Sequence, residues 1–189
     1  PTSPVGTGSL SLGISVADMV VQGNYLYIGN SNDGLKIFDA SNLTNIQEIG
    51  SIPNIAVRDI DIQDTKLYIA AGSKLSIVDI ANPTNPNELS FLSFTAQKVT
   101  VGHGFVYVAG SEILRIITIS DPNNPVQIGT INYLGYTENI CYAYNFVFVA
   151  DRIYTGEYYL NTIRAFYVGD PENPAEAQSF DVAGDISDM

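Results

Sequence analysis

One pattern is written four times along this chain, and it leaves few folds open. A short apolar strand opens on a polar residue and a two-residue turn follows. A second strand then alternates aromatic and aliphatic residues around a ring. The copies start at Asp18, Asp59, Lys98 and Asn139, and their second strands are centred on Tyr27, Tyr68, Tyr107 and Phe148. Successive starts are 41, 39 and 41 residues apart, which is the period of one propeller blade. A unit of this size cannot bury both of its faces alone, so the copies must stack on one another. The sequence predicts an all-β protein, a β-propeller of four consecutive four-stranded blades.

The second copy shows the unit most clearly. Its four strands read Arg58–Gln63, Lys66–Ala71, Lys74–Ile80 and Glu88–Phe94, short runs rich in β-branched and aromatic residues. The second strands are apolar almost throughout, as in Phe105–Ala109 and Phe146–Ala150. That suits a sheet covered on both faces better than one wetted on one side. Turns between first and second strands fall at Gly23-Asn24, Asp64-Thr65, His103-Gly104 and Tyr144-Asn145, where the backbone needs positive φ. Asn82-Pro83 to Pro86, Asp121-Pro122 to Pro125 and Asp170-Pro171 to Pro174 close the third strands, because proline cannot donate to a ladder. No stretch has helical periodicity.

The blades are expected at 13–54, 55–95, 96–135 and 136–183. Residues 1–12 align with the outer strand of a preceding blade, through Pro1-Thr2-Ser3-Pro4-Val5 beside Pro122-Asn123-Asn124-Pro125-Val126. Residues 184–189 align with the start of a following one. The expectation is therefore an open arc or a fragment of a larger propeller, with blade edges and apolar faces free to self-associate.

Composition excludes partners more than it selects them. Twenty acidic residues against eight basic ones give a net charge of −12, a field that repels nucleic acid and anionic lipid. No apolar run approaches the ~18 residues of a membrane-spanning helix, so no membrane insertion is expected. The single cysteine, Cys141, precludes an internal disulfide and is expected to lie buried as a small hydrophobe.

The third strand reads Leu75-Ser76-Ile77-Val78-Asp79, with looser copies at Leu35–Asp39 and Leu114–Thr118. With the opening aspartates and the Pro-x-x-Pro loops, it resembles the LVIVD-repeat propellers over essentially the whole chain. The resemblance implies an extracellular or cell-surface protein and brings with it no catalytic residues and no cofactor. WD40 repeats are a poorer match, since the chain has no tryptophan.

Two candidate sites stand out. The repeat-start residues Asp18, Asp59, Lys98, Asn139 and Asp188 would form a polar ring at one mouth of the channel lined by the first strands. Such a ring would hold an ion or ligand, or hydrogen-bond backbone; Lys98 weakens a cation site. The fourth repeat carries about eight extra residues in its second hairpin, with Arg152, Tyr154, Glu157, Tyr158 and Tyr159. Tyr and Arg give contact area and hydrogen bonds at low entropic cost, as at partner surfaces. Asn30–Gly34 lacks the bidentate Glu of a calcium loop and reads as a turn. The lone His103 reads as a solvated turn residue. No nucleophile elbow or phosphate loop is present.

These features favour a non-catalytic scaffold that binds a protein or glycan at the cell surface, with no metal and no cofactor. One alternative is part of a propeller hydrolase or lyase whose active site lies at the channel mouth and in blades absent here. Another is a subunit of an extracellular assembly.

Overall fold

The computed structural model describes residues 11–13 and 15–182. Sixteen strands and no helix occur among them. The first blade comprises β1 (Asp18–Gln22), β2 (Tyr25–Asn30), β3 (Gly34–Asp39) and β4 (Gln47–Ile52). The second comprises β5 (Asp59–Gln63), β6 (Lys66–Ala70), β7 (Gly72–Asp79) and β8 (Asn87–Ala96). The third contains β9 (Lys98–Gly102), β10 (Phe105–Gly110), β11 (Ile113–Thr118) and β12 (Val126–Asn132). The fourth contains β13 (Tyr136–Ala143), β14 (Phe146–Tyr154), β15 (Tyr159–Tyr167) and β16 (Ala175–Val182). Each blade is an antiparallel meander in sequence order. A β-bulge recurs at the same place in all four, between the third and fourth strands, after Ile37, Ile77, Ile116 and Ala165. An extra residue there turns the outer strand and adds twist.

Turn chemistry explains the hairpins. His103-Gly104 and Tyr144-Asn145 have positive φ at both positions, the backbone of the tight turn that follows strand twist. Each loop after the third strand opens with a side chain that accepts from the backbone two residues on: Asp39 from Ser41, Asp79 from Ala81, Asp121 from Asn123 and Asp170 from Glu172. These loops also join neighbouring blades. A Cβ on Gly50 would overlap the Pro83 carbonyl oxygen, and one on Gly129 the Pro171 carbonyl oxygen. Ser90, at the same position of the second blade, donates to the Pro122 carbonyl instead (2.6 Å).

The core lies between blades rather than within one. Three apolar clusters sit between the first and second, second and third, and third and fourth blades. Tyr27, Tyr68 and Tyr107 are the largest fully buried side chains in them. The inner strands approach in order, β1 on β5, β5 on β9 and β9 on β13. No cluster joins the fourth blade to the first among the described residues, so the four blades form an open arc.

Small differences from the sequence reading concern strand ends. β5 begins at Asp59 rather than Arg58, and β7 begins at Gly72 rather than Lys74 and stops at Asp79. β8 extends to Ala96, because Gly72 pairs with Ala96 beyond a bulge. Residues 11 and 12 belong to no strand. The rest of the strand expected at 1–12, and the one expected at 184–189, lie outside the described residues.

Candidate functional site

The inner strands carry the repeat-start residues to one cavity of about 420 Å³ on the axial side of the arc, lined by Asp18, Asp59, Lys98 and Asn139. Asp188 lies outside the described residues. Asp61 and Thr100 line it as well. Their signal was available in alternation, since each stands two residues after a repeat start on the same side of its strand.

What these carboxylates do is largely settled by their hydrogen bonds. Asp18 Oδ2 accepts from the backbone N–H of Ile60 at 2.8 Å, and Asp59 Oδ2 accepts from that of Val99 at 2.7 Å. Asp61 Oδ2 accepts from Val101 N–H and the Thr100 hydroxyl (2.8 and 3.0 Å). Each aspartate thus reaches from one inner strand to the next and satisfies a backbone donor that the blade's own ladder leaves free. The third repeat cannot continue the device, because lysine has no acceptor. Lys98 turns back to Asp59 Oδ1 at 3.2 Å, and Asn139 Oδ1 accepts from its own neighbour, Ile140 N–H. The polar ring is therefore an inter-blade clasp along the channel. No cluster of three or more His, Cys, Asp or Glu suited to a metal exists among the described residues.

Burial leaves a titration signature on this clasp. Loss of water pushes the Asp59 carboxyl up to about 6, against the pull of Lys98 and the Val99 N–H, and the Asp18 charge adds to the rise. Burial raises Asp61 too. An unfolded Asp titrates near ~4, so the group's contribution to stability is fully present below about pH 4 and is lost as pH rises through 6. Asp59→Asn keeps an oxygen for Val99 N–H and removes the ionisable group. Relative to wild type, the Asn variant is expected to gain about 2–3 kcal/mol between pH 4 and pH 7. Urea denaturation across that range checks it; a difference flat with pH would contradict the assignment.

The second candidate is the long hairpin of the fourth blade. β14 and β15 run nine residues each, against five to eight in the equivalent strands of the other blades. The excess projects past the sheet and ends in a loop at 155–158. Thr155 closes that loop: its N–H and hydroxyl both donate to the Tyr158 carbonyl at 2.9 Å. The Tyr154 hydroxyl donates to the Gly156 carbonyl at 2.8 Å. Tyr154 and Tyr159 pair across the strands with ring centroids 5.1 Å apart. The Arg152 guanidinium lies 4.7 Å over the Tyr159 ring and 2.9 Å from Glu138. Tyr154, Tyr158 and Tyr159 are 61, 62 and 59% exposed, and Glu157 is exposed beside them. Tyr136, which pairs with Arg152, extends the patch and is half exposed. Tyr136 and Glu138 were not singled out from sequence, because their place beside the hairpin follows from the register of β13 on β14.

The other features fall out as turns and faces. Asn30 Oδ1 accepts from the backbone of Asn32 and Asp33 (2.6 and 2.8 Å), shaping a turn. His103 sits at a turn with its ring 5.7 Å from Tyr142. Cys141 is half-buried rather than buried. It shares the outward face of the fourth blade with Phe148, on which no further strand packs among the described residues.

Comparison with known proteins agrees with the repeat. A search of curated protein sequences finds no match. The arc resembles the crystal structure of a functionally unknown protein from Desulfotomaculum acetoxidans, with TM-score 0.73, 16% identity, and coverage of 90% of this chain and 57% of that one. It also resembles the computationally designed protein Ika8, with TM-score 0.65, 10% identity, and coverage of 86% and 48%. The chain spans about half the length of these structures, and at such identities the likeness is one of fold. The LVIVD repeat model matches residues 14–53, 56–92 and 95–133, more than half of the chain. With its blades in order and its third strands in register, the chain belongs to the LVIVD repeat family.

Proposed function

We propose that the protein is a non-catalytic propeller that acts at the cell surface as a binding scaffold, with the fourth-blade hairpin as its contact site. The observation that carries this reading is the hairpin's composition and exposure together. Three exposed tyrosines and an arginine gather at the hairpin tip, Tyr154 and Tyr159 as its last ladder pair, Arg152 two residues back on β14 and Tyr158 in the loop. Large rings left in water on a preformed loop are the anchors from which partner surfaces are built, since little side-chain freedom remains to be lost on binding. Their hydrogen bonds and the Arg152–Tyr159 stack hold the loop in one shape before any partner arrives. The partner class is a protein or glycan of the cell surface; the acidic field disfavours polyanions.

The test is binding of the labelled chain to intact cells of the source organism and to their purified wall glycan. Replacing Tyr158 and Tyr159 together by serine is expected to lower binding at least tenfold with the melting temperature unchanged. Equal binding by the double variant would remove the hairpin from the function. Retention on protease-treated cells together with binding to the purified glycan would assign the partner as carbohydrate, and loss on protease-treated cells with no binding to the glycan would assign it as protein.

A further inference from the structure

We propose that one mouth of the channel binds a single carboxylate-bearing sugar residue of an otherwise neutral glycan. The site is a cavity of about 390 Å³, within the ~300–1,000 Å³ range of ligand clefts. All four blades contribute to it: Ser31 from the first, Arg58 from the second, Gln97 and Lys98 from the third and Tyr136 from the fourth. It adjoins the acidic axial cavity through Ala17 and Lys98, yet its charge has the opposite sign. No carboxylate lines it among the described residues, in a chain with twenty acidic residues and eight basic ones. Glu138, next to the lining residue Thr137, lies at the bulge of β13 on β14 and is taken up by Arg152.

Arg58 carries the argument. Its side chain is exposed and makes no hydrogen bond or ion pair among the described residues, whereas Lys98 shares its charge with Asp59. Its stem lies along the turn between β6 and β7, where a Cβ on Gly72 would come 2.9 Å from Nε. A guanidinium so placed offers a planar fork that takes a carboxylate through two parallel hydrogen bonds. The Gln97 amide and the Ser31 hydroxyl also have no partner among the described residues. They supply donors and acceptors for sugar hydroxyls, and half-exposed Tyr136 supplies a ring for the sugar's C–H face. A peptide is disfavoured, because the N–H groups of Ala17, Val57, Arg58 and Gln97 already donate to carbonyls and leave no ladder to join. The field of −12 repels a run of carboxylates but admits one beside two cations. A smaller cavity of about 140 Å³ adjoins through Gln97 and Tyr136 and contains Glu112, which suits a neutral neighbouring sugar. Tyr136 also pairs with Arg152, so the cavity opens beside the hairpin. The inference rests on the proposed surface role for the source of the glycan, and on the cavity alone for its chemistry.

Titration of the isotopically labelled chain with sodium glucuronate and sodium galacturonate, followed through amide chemical shifts, tests the proposal. Glucose and galactose serve as the uncharged sugars, and acetylated trialanine as the peptide carboxylate. One of the two uronates is expected to bind at least about tenfold more tightly than its neutral counterpart and than the peptide, with its largest shifts around Arg58, Gln97 and Tyr136. Arg58→Gln is expected to bring the uronate down to the level of the neutral sugar with the melting temperature unchanged. Gln97→Ala is expected to weaken both sugars and keep their ratio. Failure of both uronates to bind, or binding no tighter than the neutral sugars, overturns the proposal. A preference that survives Arg58→Gln overturns the site, and a peptide that binds as tightly as the uronate overturns the sugar assignment. The titration needs no cells, so its failure and the failure of the cell-binding assay are read independently.

Discussion

Replacing Tyr107 with alanine is expected to destabilise the protein by about 3–5 kcal/mol, the range for deleting a large buried ring. The ring is 1% exposed at the junction of the third and fourth blades. It stacks on Tyr142 of the next blade with centroids 5.3 Å apart and planes 7° from parallel. Tyr142 in turn occupies space that opens because residue 102 is glycine; a Cβ there would overlap its ring. Deleting Tyr107 therefore removes a stacking partner and leaves a void that the rigid inner strands cannot collapse into. Tyr144→Ala is the matched control, because Tyr144 is almost fully exposed on a hairpin turn. Its loss should change stability by less than about 0.5 kcal/mol. Urea midpoints measured for the two variants settle the matter, and similar shifts in both would mean that the inter-blade stack contributes little.

The blades were legible because their physics is local and repeated. Alternation, turn residues and proline stops recur at fixed offsets, so each copy corroborates the others. What escaped was whatever depends on the neighbouring blade. The repeat-start aspartates Asp18 and Asp59 were visible as a position, but their partners are the N–H groups of Ile60 and Val99, and a backbone donor leaves no mark in sequence. Gly50 and Gly129 looked unremarkable, although each admits a proline loop of the next blade. Cys141 was expected to be buried on the strength of its apolar strand; its half-exposure reflects an uncovered sheet face, which strand composition does not encode. The hairpin was legible by length and composition, while the addition of Tyr136 and Glu138 beside it depended on the register of β13 and β14 past a bulge.

The largest electrostatic effect is expected at the root of that hairpin. Asp151 is fully buried and pairs with Arg164, whose Nε donates to Oδ2 at 2.9 Å. The same guanidinium donates to Glu176 on β16 at 3.0 Å and to the Leu134 carbonyl ahead of β13 at 3.2 Å. One side chain of β15 thus ties together the inner, second and outer strands where the hairpin leaves the sheet. Arg164→Met fills similar space but strands a carboxylate whose Oδ1 already lacks a hydrogen-bond partner among the described residues. A buried charge that loses its partner typically costs about 3–5 kcal/mol. The sign with pH follows from Asp151, whose carboxyl is raised by burial even with Arg164 in place. The variant's deficit should be full at pH 7.5 and shrink as pH falls toward 4, where the stranded group takes up a proton and becomes neutral. Adding Asp151→Asn to Arg164→Met should recover much of the loss at pH 7.5, since the charge is then gone rather than unpaired. If the single variant shows the same deficit at both pH values, the cost lies in lost packing instead. The hairpin would then owe its position to the sheet and not to the buried pair at its base.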